Sequence, residues 1–156
     1  LTALSVRNAD GSVLGTFAGI VPSAIPVFQI VIDGGVYTYV GSGQLIGQQS
    51  PIFLTSDCSG TGYIGSFLDY DTVYAKLVGG TARIVFRPTS LGGILGTPRA
   101  WKLAATHPTV VNQDAWELSP TTGACQVSGS PQVSGVLIGL TEVAAPPDGV
   151  GPLTVS

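Results

Sequence analysis

The chain has 156 residues, of which six are Lys or Arg and nine are Asp or Glu, giving a net charge of −3. Only 10% of it is charged, against roughly 25% for an ordinary soluble domain. This composition excludes a basic nucleic-acid surface, and an apolar fraction of 44% excludes a charge-expanded disordered chain.

The pattern along the chain is β throughout. Thr2–Arg7 alternates, meets the turn Asn8-Ala9-Asp10-Gly11, and Val13–Phe17 returns. Val27–Ile32 is rich in β-branched residues and ends at Asp33-Gly34-Gly35. Val36–Val40 follows at once, which makes this the strongest hairpin signal in the sequence. Pro51–Thr55 reads as a strand. Thr72–Leu77 and Ala82–Arg87 flank Val78-Gly79-Gly80-Thr81 as a second hairpin. Arg99–Leu103, Ala115–Leu118, Gly135–Val143 and Leu153–Val155 complete the set. No 12-residue stretch carries helical periodicity without Gly or Pro inside it. Short strands at short intervals predict an all-β chain, an antiparallel β-sandwich or jelly-roll-like single domain over residues 1–145. Residues 146–156 read as a Pro/Gly-rich connector with a terminal strand.

No window holds 18 uninterrupted apolar residues, so no membrane-spanning helix is expected. With no methionine anywhere, the chain reads as a processed product or a fragment. Two cysteines, Cys58 and Cys125, would pair in an oxidising compartment; two separate thiols are the other reading. The low charge and the Thr/Ser/Gly-rich composition favour an extracellular setting.

Candidates for chemistry are few. His107 is the single histidine, precedes Pro108 and has no G-x-S-x-G elbow to serve. A loop histidine bonded to backbone is the expectation, and no catalytic residue is assigned. Asp69 and Asp71 flank Tyr70 and would share a strand face about 6 to 7 Å apart. That spacing is compatible with a glycosidase pair, so a carbohydrate-active hydrolase is the third reading of function. The same two residues with Asp57 are the candidate Ca²⁺ ligands, with self-capping turns as the alternative; no other cofactor is expected. The better clue is aromatic. Tyr37 and Tyr39 share one face of a strand, and with Tyr63 and Tyr70 they are the candidate ligand-binding rings. Trp101 and Trp116 are assigned to a core or subunit interface.

One segment goes beyond composition: Phe53-Leu54-Thr55-Ser56-Asp57-Cys58-Ser59-Gly60-Thr61-Gly62-Tyr63, an aromatic strand entering a D-C-S-G-x-x-Y turn. Asn8-Ala9-Asp10-Gly11-Ser12-Val13-Leu14-Gly15 stands upstream of it, Gly123-Ala124-Cys125-Gln126-Val127-Ser128-Gly129 downstream, and a Pro-Pro segment precedes the final strand. This order resembles the small β-rich C-terminal head domains of bacterial secreted proteins, some collagen-like, and of phage tail-fibre-like proteins. The resemblance implies a non-enzymatic head that recognises surface glycans or supports assembly, often as a trimer, with a disulfide joining the Cys58 turn to the strand near Cys125. The expected function is an extracellular structural or adhesive domain at a cell or virion surface that self-assembles and binds surface glycans. A subunit of a filament or of a phage or virion assembly is the second reading. The expected partners are copies of the chain and a glycan, with no nucleic acid.

Overall fold

The structure, a computed structural model, describes residues 3–21, 27–47, 49–65, 76–77, 80–89, 95–104 and 106–156. Among them no helix occurs, and the strands form two sheets, one of seven strands and one of six, antiparallel at every contact but one. The antiparallel all-β class and the Cys58–Cys125 disulfide expected from the sequence are both present. The chain divides into two compact units, residues 1–46 with 75–82 and 146–156, and residues 47–74 with 83–145.

The first unit is built on the order β13-β1-β2-β3-β4-β8-β7, where β1 is Ser5–Arg7, β2 Val13–Val21, β3 Val27–Ile32, β4 Gly35–Val40, β7 Lys76–Leu77, β8 Gly80–Ala82 and β13 Thr154–Val155. The β3–β4 hairpin closes through Asp33 and Gly34, both in the left-handed region (φ 49° and 76°). Positive φ at both central positions is what a two-residue turn matched to the strand twist requires. Ile32 therefore pairs with Gly35, and the strand begins one residue earlier than the sequence suggests. Along β3, Phe28 and Ile30 point inward, and their cross-strand partners on β4 are Tyr39 and Tyr37.

Residues 146–156 fold into this unit. The Tyr39 hydroxyl donates to Pro147 O (2.8 Å), Leu45 N donates to Asp148 Oδ1 (2.8 Å), and Leu153 N donates to Gly41 O (2.9 Å). The terminal strand is present, with Val6 opposite Val155, and the Gly151–Pro152 peptide bond is cis.

The second unit contains β5 (Ile52–Phe53), β6 (Gly62–Gly65), β9 (Ile84–Phe86), β10 (Arg99–Leu103), β11 (Thr109–Leu118) and β12 (Cys125–Val143). Its frame is one long hairpin. β10 and β11 both run antiparallel to β12, and hydrogen bonds from Ala104 N to Gly139 O and from Leu137 N to Pro108 O add to the contact with β12 at the end of β10 and the start of β11. The β5–β6 pair then bridges the two arms: Phe53 lies opposite Trp116 on β11, and Ile64 lies opposite Ile138 on β12. The ladders β11–β5–β6–β12–β11 thus form a closed circuit. The unit's core is the buried cluster Phe53, Cys58, Ile64, Ile84, Phe86, Trp101, Leu118, Ile138 and Leu140. Phe53 and Trp101 meet edge to face with ring centroids 6.4 Å apart, a favoured aromatic geometry. Trp101 is a core residue, as expected.

β6 was not anticipated as a strand, because it follows directly on the D-C-S-G turn. β12 reaches 19 residues: the expected strand Gly135–Val143 forms, and the strand extends back through Pro131 and Gly129 to Cys125. The Thr72–Leu77 strand falls largely outside the described residues.

Candidate functional site

The expected aromatic site does not form on β4. Tyr37 and Tyr39 do share a face, but that face is turned inward: they are 4% and 0% exposed. Burial removes both rings from contact with a surface ligand, and the alternation that placed them together equally suits a core face. Tyr63 is half-buried on β6. Tyr70, Asp69 and Asp71 lie outside the described residues, and so does the proposed carboxylate pair.

Asp57 caps its own turn. Its Oδ1 accepts from Ser59 N (3.1 Å) and Ser59 Oγ (2.7 Å), and these bonds hold its carboxyl below the ordinary carboxylate range. Cys58 sits next to it with φ 55° and is bonded to Cys125 with Cα atoms 5.6 Å apart. The D-C-S-G segment is thus a self-capped turn pinned to the start of β12. Among the described residues no three His, Cys, Asp or Glu side chains converge as metal ligands would. His107 is exposed, and its Nδ1 accepts from Gly139 N at 3.3 Å, the backbone-bonded loop histidine expected.

Among the described residues, two clefts open on the second unit. One, of about 380 Å³, is lined by Gln49, Arg87, Thr89, Glu117 and Gln126 among others. The Arg87 Nε there donates to Gly96 O at 2.8 Å, so the guanidinium is tied to the backbone at residue 96. The other, of about 560 Å³, lies on the long hairpin between Asp114, Ala115, Trp116, Val127, Pro131 and Gln132. It is a product of register. Asp114 pairs with Gln132 and Trp116 with Val127, so Ser128–Pro131 on β12 are matched by Ala115 alone on β11. The extra residues bulge, and proline in a strand interior is accommodated at such a bulge. Glu117 Oε1 holds the bulge by accepting from Gly129 N (3.1 Å).

Trp116 is half-buried, one side of it packed on the unit's core. Gln132 Nε2 donates to Asp114 Oδ1 at 3.3 Å. An aromatic ring, a carboxylate and an amide therefore share one depression, with Pro131 and Val127 as apolar walls. The sequence reading assigned Trp116 to a core or interface. The available signal was Asp114-Ala115-Trp116, an acid and an indole two apart on a strand and so on one side of it.

A third surface belongs to the same hairpin. In its middle, residues 109–114 and 129–136 are exposed or half-buried without exception. Val111 is 77% and Val136 45% exposed. Among the described residues no third strand pairs with this stretch, and Asp114 is its one charge. Comparison with protein-family models, with curated proteins and with solved structures finds no match for the chain.

Proposed function

We propose that the protein is a non-enzymatic extracellular structural and adhesive domain that associates with copies of itself. The observation that carries this reading is the ribbon of residues 109–114 and 129–136. A two-stranded ribbon is at best marginally stable in water without a further strand or a covering layer. Natural sheets guard such surfaces with charge; this one presents valines, Ser, Gln and a single carboxylate. Self-contact therefore meets little repulsion and covers apolar surface. The extracellular setting is supported by the disulfide, which oxidising compartments maintain. No helix among the described residues is long and apolar enough to cross a membrane.

Sedimentation velocity of the oxidised chain tests association. The expected outcome is a concentration-dependent rise in mass that Val111→Lys with Val136→Lys abolishes while the unfolding transition stays in place. A wild-type chain that remains monomeric would remove self-assembly from the account.

A further inference from the structure

We infer that the Trp116 cleft is a binding site for a single neutral pyranose ring of a glycan. The inference rests on the adhesive part of the function proposed above and gives it a ligand class. The cleft's volume of about 560 Å³ falls within the range of small-molecule sites. Its chemistry is that of a sugar rather than of another small ligand. Trp116 supplies a broad apolar ring for the C–H face of a pyranose, leaving the indole N–H for a polar neighbour. Asp114 and Gln132, already bonded to each other, offer carboxylate oxygens that accept from hydroxyls and an amide that both donates and accepts. Adjacent hydroxyls on one ring need that mixture.

Two competing ligands fit less well. A proline-rich peptide also docks on aromatic clefts, but its proline backbone offers acceptors and lacks donors, so it would give the Asp114 carboxylate no hydrogen bond beyond the one from Gln132. An acidic sugar is disfavoured because Asp114 is the one charged group lining the cleft. Gln132 is exposed, so it can be altered without touching the core, whereas Trp116 also packs on the core.

The test uses the full oxidised chain. Tryptophan fluorescence, with Trp101 buried and Trp116 half-buried, is followed during titration with a panel of neutral methyl-hexopyranosides, with sialic acid and with a polyproline peptide. Sedimentation is run on the same samples. The expected result is saturable change with at least one neutral sugar, weakened about tenfold or more in Gln132→Ala, which keeps both tryptophans and retains the wild-type unfolding curve. No response to any neutral sugar, a response to sialic acid or the peptide alone, or a sugar response untouched by Gln132→Ala would each overturn the site. Those failures leave self-association standing if sedimentation still shows it. A monomeric chain that binds sugar would overturn the assembly reading and keep the site.

Discussion

Tyr39 shows how one side chain decides between a binding face and a core. Its ring is fully buried opposite Phe28, and its hydroxyl finds Pro147 O. A buried tyrosine needs such a partner, since an unpaired hydroxyl there would cost about 1–3 kcal/mol. Tyr39→Phe removes both the donor and its bond to the tail and is expected to lower stability by about 0.5–1.5 kcal/mol in urea unfolding, with no effect on ligand binding. Arg99 and Glu142 give the second residue-scale expectation. The Arg99 guanidinium lies 5.0 Å from the Trp101 ring centroid, and its two hydrogen bonds to Glu142, of 2.8 and 2.9 Å, hold that carboxyl below its ordinary range. A carboxyl lowered in the fold stabilises above its unfolded value and loses that contribution as pH falls through its folded value. Both groups are partly exposed, so the effect is under about 1 kcal/mol. Below about pH 4.5, Glu142→Gln should therefore show a shallower acid loss of stability than the wild type, and it should be slightly less stable at pH 7. Equal slopes in the two proteins would show that the pair does not contribute.

At the scale of elements, the 41–45 loop and the tail meet backbone to backbone. Gly43 sits at φ 103°, and a Cβ there would stand 2.5 Å from Gly149 O. Gly43→Ala should destabilise the chain by more than about 1 kcal/mol, the strain of a side chain at positive φ adding to the clash. Gly65, where a Cβ meets nothing within 4 Å, is the control and should tolerate alanine. The β3–β4 hairpin could be read because strand propensity and the Asp33-Gly34 turn are local and agree. β10 could be read for the same reason, with its bounds at Arg99 and Leu103 as expected. The second half of β12 could be read too, from Gly135 to Val143, but its first half could not: it contains Gly129 and Pro131 and is held by a partner strand, a bulge and the disulfide at Cys125, all of them non-local. The Trp116 cleft was hidden with it, since the cleft exists only through that bulge. The inward turn of Tyr37 and Tyr39 was hidden too, because period two fixes which residues share a face and leaves open which face is buried.

Across the molecule, scarce charge and a single disulfide govern behaviour. Cys58 and Cys125 are 67 positions apart, and closing a loop of that length restricts the unfolded chain by roughly 4 kcal/mol in the chain-entropy view. Replacing both with alanine should lower the unfolding free energy by an amount of that order, read by denaturant titration against the oxidised wild type. In the self-association proposed above, the covering of Thr, Ser, Gly and Gln would satisfy hydrogen bonds without repelling a second copy, and the exposed ribbon would supply the apolar contact. Hydrogen–deuterium exchange of the oxidised chain at two concentrations a hundredfold apart tests this most directly. Self-association through the ribbon predicts that exchange slows at the higher concentration within residues 109–114 and 129–136 while the rest of β12 is unchanged. Identical exchange in those residues at both concentrations would contradict it.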